Sequence, residues 1–204
     1  MKKTDKSFNT SLFWINKRIF DVSVSIALLP LLIFISLILL VANIFFNRGS
    51  IFFVQKRMGK DCKLFYAIKF RSMKSVGEIT REYNDPLETY RITPLGRILR
   101  KSRIDELPQI INVLKGEMSL IGPRPDYYEH AIVFLENVKG YRERHTIRPG
   151  ISGLSQIRLG YAEGLEATSK KVIVDNYYIN NIGYTIELKI IINTVVTIIK
   201  GLGI

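Results

Sequence analysis

The chain has 204 residues, enough for one domain with a hydrophobic core and an appended segment. It carries 30 Lys and Arg against 18 Asp and Glu, and the resulting net charge of +12 favours a phosphate-rich substrate, an anionic lipid or nucleic acid as partner. The single cysteine, Cys62, excludes an internal disulfide, and no zinc spacing or phosphate-binding glycine loop of the Walker or dinucleotide type is present.

The N-terminal region contains the longest apolar run. Residues 1–16 are polar and basic and predict a frayed tail, whereas residues 22–46 lack any charge and exceed the roughly 20 residues that cross a bilayer as a helix. Basic residues lie on both flanks of this run, so the positive-inside rule does not indicate which side of the membrane each flank occupies. Pro30 lies inside the run and permits a kink. Two readings stay open at this point: a simple spanning helix with a tolerated proline, and a helix that enters the bilayer and returns.

A β-hairpin is predicted next. Residues 50–55 and 63–71 form short strand patterns around a turn at residues 58–61. Alternation places Lys69 and Arg71 on one face, which alone indicates a solvated surface but beside an acidic site indicates an anion clamp. Residues 72–94 are polar and without period, which predicts a long loop of the kind that forms functional lids.

The most informative stretch is residues 95–116. Residues 95–103 predict a basic helix in which Arg97 and Arg100 face either the site or lipid phosphates. Apolar residues from Leu107 to Leu114 recur at helical spacing, which predicts a second helix. We therefore expect Asp105 and Glu106 in its first turn, where the helix dipole keeps carboxylates ionised.

Arg124 follows shortly, between two prolines that restrict its backbone. Carboxylates near clustered arginines indicate chemistry on a phosphorylated substrate. Further on, residues 126–141 and 167–181 predict helices, and residues 183–204 predict a helix that lies on the membrane surface or the core. The glycine-containing residues 148–156 predict a turn that approaches a ligand closely. The two histidines, His130 and His145, have no metal-like spacing and are expected to be structural or surface residues.

Several motifs together resemble the bacterial sugar transferase family, the monotopic phosphoglycosyl transferases that begin polysaccharide and glycoconjugate assembly on polyprenyl phosphate. The resemblance covers Lys17 to about Lys200, and the size is similar to that of members with the catalytic domain alone. The motifs are Lys17-Arg18-Ile19-Phe20-Asp21, Lys69-Phe70-Arg71-Ser72-Met73, Leu95-Gly96-Arg97, Asp105-Glu106-Leu107-Pro108-Gln109, Asn112-Val113-Leu114-Lys115-Gly116, Met118-Ser119-Leu120-Ile121-Gly122-Pro123-Arg124-Pro125, Arg148-Pro149-Gly150-Ile151-Ser152-Gly153, and Asp175 with Tyr177-Tyr178.

The resemblance implies a two-step displacement. Asp105 would attack the diphosphate of a UDP-sugar, releasing UMP, and polyprenyl (undecaprenyl) phosphate would then take the phosphosugar from the aspartyl intermediate. Mg²⁺ is the expected cofactor, with Glu106 and Asp105 as its ligands. Glu106 is expected to be catalytic as well as Asp105. Arg124 is the leading phosphate-binding residue, and Asp175 is expected to pair with an arginine. The further phosphate-binding candidates are Lys69, Arg71, Arg100 and Arg148.

The implied fold class is α+β, mainly helical, in a monotopic membrane protein with a re-entrant N-terminal helix, a small β-hairpin and amphipathic surface helices. The expected division is a tail at 1–16, a membrane helix at 17–48 and a catalytic domain at 49–204 on the cytoplasmic face of a bacterial inner membrane. Many relatives break this helix at a Ser-Pro pair. Here Pro30 follows Leu29 and is the expected break. Asn16 and Ser50 are both predicted to lie in the cytoplasm.

Two other classes remain to be weighed. A catalytically silent membrane scaffold of the same fold would not need the Asp105-Glu106 pair or Arg124. A membrane-tethered nucleic-acid binder would need a basic helix or exposed aromatics interleaved with Lys and Arg. The charges here are instead scattered among the anion-site motifs, so no nucleic acid is expected. The expected partners are a UDP-sugar, polyprenyl phosphate, the phospholipid bilayer and downstream glycosyltransferases. Residues 159–169 are predicted to approach the sugar, whose identity the sequence does not give.

Overall fold

The computed structural model describes residues 3–46, 49–74, 82–85, 88–160 and 164–201. Within these ranges the chain is mainly helical, and it contains a small antiparallel hairpin and a second, short parallel strand pair. This confirms the predicted α+β class. The helices are α1 Lys3–Phe46, α2 Pro94–Lys101, α3 Gln109–Lys115, α4 Tyr128–Asn137, α5 Leu154–Leu159, α6 Gly164–Asn180 and α7 Tyr184–Ile199. The strands are β1 Phe52–Met58, β2 Leu64–Phe70, β3 Ser119–Ile121 and β4 Gly150–Ser152.

Helix α1 is longer than the sequence suggests. It has 44 residues, or roughly 66 Å at 1.5 Å per residue, and it starts at Lys3, inside the segment expected to be a tail. It also continues through Pro30, which lies inside it. A proline removes only one backbone donor, and the Leu- and Ile-rich residues on both sides favour the helix. Ser36 Oγ donates to the Leu32 carbonyl, and Ser25 Oγ has no hydrogen-bond partner among the described residues.

One face of α1 packs against the rest of the described chain along most of the helix. The buried residues on that face are Phe13, Lys17, Asp21, Ser25, Leu32, Leu39 and Asn43, at spacings of four and seven. Before Pro30, Asn16 bonds the Tyr184 hydroxyl; after it, Leu32 and Leu39 join a core cluster and Asn43 bonds the Gly49 carbonyl. The helix therefore contacts the domain on both sides of its proline.

The other faces of α1 are exposed and apolar. In the described chain it is the one helix long and apolar enough to cross a membrane, by length and composition only. Only 17% of its most apolar window is buried, which distinguishes it from the core helix of a soluble protein. Its exposed large side chains include Ile19, Phe20, Ile33, Phe34, Leu37, Ile38, Leu40, Val41, Ile44 and Phe45.

The hairpin matches the prediction, with one boundary moved. β1 and β2 pair antiparallel from Phe52 opposite Phe70 to Met58 opposite Leu64. β1 reaches Met58 rather than ending at residue 55, because Lys56 pairs with Glu129 and the Arg57 guanidinium donates to the Pro125 carbonyl. Polar partners on α4 and its preceding loop thus extend a strand that the apolar pattern alone would end earlier.

A close crossing of glycine backbones joins two of the sequence motifs. β3 pairs in parallel with β4, and the crossing continues as Gly122 N–H donates to the Ser152 carbonyl and Gly150 N–H to the Pro123 carbonyl, both at 2.9 Å. A Cβ added to Gly150 would lie 2.1 Å from Gly122 N, so no side chain fits. This crossing fixes the backbone immediately before Arg124.

Helices α6 and α7 confirm the two predicted C-terminal helices. Glu187 of α7 is buried, accepts a hydrogen bond from the Tyr178 hydroxyl and forms a 2.6 Å ion pair with Lys17 of α1. The opposite side of α7 exposes Leu188, Ile192, Val195, Val196 and Ile199. α7 is therefore amphipathic and is fixed to α1 through one buried ion pair.

Candidate active site

The acid pair lies in a separate 3₁₀ turn, Ile104–Glu106, and not in the first turn of α3 as predicted. Helix α3 begins only at Gln109, after Pro108. Pro108 has no N–H to donate to the Ile104 carbonyl, which instead accepts from Leu107 at 3.1 Å in the i to i−3 pattern of a 3₁₀ helix. Just before the turn, Arg103 has a φ of 58°, a left-handed conformation that costs a non-glycine residue about 1 kcal/mol or more.

Glu106 is buried among cations. Its carboxylate accepts two hydrogen bonds from the Arg124 guanidinium, one of them 3.1 Å long between Nη1 and Oε2. Lys69 Nζ lies 3.1 Å from Oε1, and Arg103 Nη1 lies 3.7 Å from Oε2. Burial alone would raise the pKa of Glu106, but Arg124 and Lys69 outweigh it and hold that pKa well below its usual value. Glu106 is therefore ionised at neutral pH.

Asp105 is next to Glu106 and is also buried, but it lacks these cationic partners. It has no hydrogen bond or ion pair with the described residues, and 8% of its surface is exposed. Burial, followed by the charge of Glu106, raises the pKa of Asp105 to about 6, although Lys69 and Arg100 oppose the shift. The turn therefore does not lower the pKa of Asp105 as it does that of Glu106, although a carboxyl with a pKa of about 6 is still mostly ionised at neutral pH. Two adjacent carboxyl groups with separated pKa values are typical of divided catalytic roles.

The cations come from different elements. Lys69 is on β2, Arg100 on α2, Arg103 precedes the acid pair, and Arg124 follows β3. Burial lowers the pKa of Lys69 to about 8, with Glu106 acting in the opposite direction. The structure thus brings Lys69, Arg100 and Arg124 to the acid pair as predicted. Arg103 is not among the site residues predicted from the sequence. Its i, i+3 spacing from Glu106 could have indicated this ion pair.

Three other predicted residues make contacts with different parts of the chain. The Arg71 guanidinium lies beside Gly49, where an added Cβ would be 2.7 Å from its Nη1. Arg148 donates from Nε to the Gly116 carbonyl at 2.8 Å. Asp175 is buried and pairs with Arg144, with 2.8 Å between Oδ2 and Nη2. The sequence predicted an arginine partner for Asp175 but did not indicate which one.

Arg144 belongs to a buried network behind the Arg124 loop. Its guanidinium pairs with Asp126 and Asp175 and donates to the Arg124 carbonyl at 2.7 Å. Lys171 pairs with Asp126 at 2.5 Å. Burial would raise the pKa of Asp126, yet Lys171 and Arg144 lower it far below its usual value. This network holds the backbone from which the Arg124 side chain projects to Glu106.

The two histidines are consistent with structural roles. His145 is buried, and its Nδ1 lies 3.1 Å from the Gly59 carbonyl oxygen. Burial and the nearby Arg144 lower the pKa of His145 to about 4, so the ring is neutral at physiological pH. His130 packs edge-on against Tyr127.

The acid pair could supply part of a magnesium site. The described residues contain no group of three or more His, Cys, Asp or Glu side chains placed to hold a metal. Mg²⁺ in phosphate-transferring sites is commonly held by one or two carboxylates together with substrate phosphates and water. Asp105 has both oxygens uncommitted, and the Glu106 oxygens can accept further bonds besides those from Arg124 and Lys69. The residues fit an ion whose coordination the substrate completes.

Two predicted elements fall partly outside the described residues. The loop at 72–94 is fixed at its ends, since Lys74 N–H donates to the Arg91 carbonyl at 2.9 Å and Thr93 N–H to that of Ser72 at 3.1 Å. Its residues 75–81 and 86–87, to which the lid prediction mainly refers, lie outside the described part of the chain. The same holds for 161–163 within the segment 159–169 that is predicted to approach the sugar.

Residues 12–201 match the family described as bacterial sugar transferase, and the chain belongs to this family. It is similar to the UDP-N-acetylgalactosamine-undecaprenyl-phosphate N-acetylgalactosaminephosphotransferase of Aeromonas hydrophila, with 38% identity over 92% of the chain and 44% of that protein. It is 37% identical to the UDP-glucose:undecaprenyl-phosphate glucose-1-phosphate transferase of Klebsiella pneumoniae, over 88% of the chain and 39% of that protein.

A third relative has almost the same length. The exopolysaccharide production protein PSS of Rhizobium leguminosarum bv. phaseoli is 36% identical over 92% of the chain and 97% of that protein. The chain therefore spans less than half of the first two relatives and nearly all of the third. The predicted family resemblance is confirmed.

Proposed function

We propose that the protein transfers a phosphosugar from a UDP-sugar to polyprenyl phosphate, releasing UMP, as an early membrane step of polysaccharide or glycoconjugate synthesis. The observation that carries the proposal is the uncommitted Asp105 carboxylate beside an ionised Glu106 held by Arg124 and Lys69. The names of the Aeromonas and Klebsiella relatives describe this class of transfer for those proteins.

In the first step, an Asp105 oxygen attacks the phosphorus that bears the sugar. The bond between this phosphorus and the bridging oxygen breaks, and UMP leaves with the bonding electrons. In the second step, an oxygen of polyprenyl phosphate attacks the same phosphorus and the bond to Asp105 breaks, which restores the carboxylate. Because its pKa is about 6, Asp105 is mostly ionised at neutral pH while remaining more basic than an exposed aspartate.

The cations around the pair would neutralise the phosphates. Arg124 is positioned to bind a phosphate and Glu106 together, and Lys69 and Arg100 add positive charge on other sides of the pair. Mg²⁺ bound by Asp105 and Glu106 would supply further neutralisation of the diphosphate. The network of Arg144, Asp126 and Lys171 holds the Arg124 loop in place during both steps.

We further propose that α1 is embedded in one leaflet of the bacterial cytoplasmic membrane, with the catalytic domain on the cytoplasmic face. A helix spanning the bilayer could not contact one water-facing domain along its length. Here Lys17 and Asp21 contact the domain before Pro30, and Leu32 and Asn43 contact it after. The exposed apolar faces of α1 and α7 give the surface that would enter the lipid.

UMP release tests the proposal. Purified protein in nanodiscs would receive Mg²⁺, undecaprenyl phosphate and a panel of UDP-sugars, with Asp105→Asn as the matched variant. We expect UMP release with one donor, lost in the variant by about a thousandfold or more, because the nucleophile is removed. Trapping of a phosphosugar on the protein without acceptor would support the two-step path. Silence with every donor, from protein shown to be folded, would favour the scaffold function.

A further inference from the structure

A positively charged cavity separate from the candidate active site lies beside residues 14–21 of α1. Its volume is about 390 Å³, and its lining includes Trp14, Lys17, Arg18, Asp21, Lys60 and Arg148. None of the residues that line it belongs to the acid pair or to the cations that contact the pair. The cavity and the candidate active site therefore share no side chain.

The charges of the cavity are not balanced within it. Lys17 is neutralised by Glu187, and the Asp21 carboxylate accepts from the Leu120 N–H at 3.1 Å. Arg18 donates to the Val113 and Leu114 carbonyls, so its contacts are with neutral groups. Arg148 likewise contacts a carbonyl through Nε.

Lys60 completes this set of cations. It is exposed, and its ammonium group makes no hydrogen bond or ion pair with the described residues. With Lys17 neutralised by Glu187, Arg18, Lys60 and Arg148 against Asp21 leave a net charge of +2 in the cavity. Trp14 adds an indole N–H that makes no hydrogen bond to the described residues. Cations and an unused N–H donor around one cavity favour a small anion rich in oxygen, such as a phosphate group.

The surroundings indicate where that phosphate comes from. Ile15, Ile19 and Phe20 of α1, and Leu188 of α7, expose 42–59% of their surface close in sequence to the cavity residues or to their partner Glu187. Tryptophan and basic residues beside exposed apolar side chains are typical of the boundary between acyl chains and headgroups. A phosphate bound here would lie next to apolar chains.

We propose that this cavity binds the phosphate of an anionic phospholipid headgroup and so fixes the depth of α1 in the membrane. The proposal rests on the membrane placement given above and not on the transfer chemistry. The binding assay below does not involve turnover, so a failure of the transferase assay would leave this test intact.

Trp14 is the single tryptophan of the chain and therefore reports on the cavity directly. Full-length protein in a nonionic detergent would be titrated with dihexanoyl phosphatidylglycerol, dihexanoyl phosphatidylcholine or inorganic phosphate, with Trp14 emission as the readout. The test variant replaces two cavity cations, Lys60→Gln with Arg148→Gln. The matched control, Lys139→Gln with Arg142→Gln, removes the same charge from exposed positions outside the cavity lining.

We expect a saturable emission change with phosphatidylglycerol in the wild type and the control, and an apparent affinity about tenfold or more weaker in the test variant. Equal titrations of the test and control variants would overturn the proposal. An equal response to phosphatidylcholine would contradict the preference for an anionic headgroup. A response to inorganic phosphate as strong as that to the lipid would assign the cavity to soluble phosphates and overturn the lipid assignment.

Discussion

The Arg124 guanidinium is hydrogen bonded to both carboxylate oxygens of Glu106. This pairing gives the neighbouring carboxyl groups of Asp105 and Glu106 different pKa values. Glu106 keeps its charge because Arg124 and Lys69 outweigh the cost of its burial, whereas Asp105 bears a similar cost without a hydrogen-bonded cation among the described residues. The predictions below follow from this asymmetry and from the contacts that hold it.

Asp105→Asn is expected to stabilise the fold while removing activity. The pKa of Asp105 is raised to about 6 in the folded protein, so ionised Asp105 disfavours folding above pH 6. This penalty decreases as the pH falls from 6 towards the lower pKa that Asp105 has in the unfolded chain. The variant should gain on the order of 1–3 kcal/mol in unfolding free energy at pH 8 and almost nothing at pH 4. Denaturant titrations at both pH values measure this, and a variant less stable than wild type at pH 8 would contradict it.

The pH profile of kcat/KM for UMP release should be bell-shaped. Asp105 must lose its proton to attack, which places the acid limb near its pKa of about 6. Lys69 must keep its proton to pair with Glu106 and the phosphates, which places the alkaline limb near its pKa of about 8. Lys69→Arg keeps the charge at all accessible pH values, so the alkaline limb should move upwards by more than one pH unit. An unchanged alkaline limb would exclude Lys69 as its source.

Arg124→Lys should reduce kcat/KM by about tenfold to a hundredfold although the charge is kept. A lysine cannot bind both oxygens of Glu106 with a planar fork, and the geometry of the pair is lost. Steady-state kinetics measure the effect, and Arg142→Lys serves as control because Arg142 is exposed and distant in sequence from the pair. Equal kinetics for both variants would show that the bidentate contact is dispensable.

The buried network behind Arg124 should dominate local stability. Asp175→Asn leaves Arg144 with Asp126 as its remaining carboxylate partner among the described residues, and we expect a loss of about 2–3 kcal/mol in unfolding free energy. Lys170→Ala breaks an exposed pair with Glu166 in the same helix and should have no measurable effect. Chemical denaturation of both variants tests the contrast, which would be refuted by comparable losses.

Asn16 and Ser50, which lie on either side of the uncharged run at residues 22–46, are predicted to lie on the same side of the membrane. Asn16→Cys and Ser50→Cys would be introduced separately in a Cys62→Ser background, since Cys62 is the only native thiol. An impermeant maleimide should label both positions in inside-out vesicles and neither in intact spheroplasts. Labelling of the two positions from opposite sides would show that α1 spans the bilayer.

Local patterns in the sequence predicted much of this structure. The hairpin, α2 and the C-terminal helices follow from period and composition. Of the two cations that strand alternation placed on one face, Lys69 contacts the acid pair, whereas Arg71 lies beside Gly49. The resemblance to known motifs identified Asp105, Glu106 and Arg124, which the structure places together. The separation of their pKa values could not be predicted, because it depends on burial and on which carboxylate the distant cations contact.

Other features depend on long-range contacts that no local pattern contains. Helix α1 extends back to Lys3, and within this added part Asn16 contacts Tyr184 of α7. The pairing of β3 with β4 requires two three-residue strands to meet across about 30 residues, and such short strands have no detectable period. The Arg144 network likewise joins parts of the chain that are separate in sequence, since Asp126 precedes α4 and Lys171 is on α6.

Helix α3 connects the acid pair to helix α1. The acid pair immediately precedes its first turn, and the carbonyls of Val113 and Leu114 near its end are held by Arg18 of the membrane-facing helix. A helix of seven residues is only about 10 Å long and is stiff over that distance. Any lateral strain that displaces α1 must therefore tilt α3 or break the Arg18 hydrogen bonds. Under the proposed membrane placement, we therefore expect the rate of UMP release to depend on bilayer thickness.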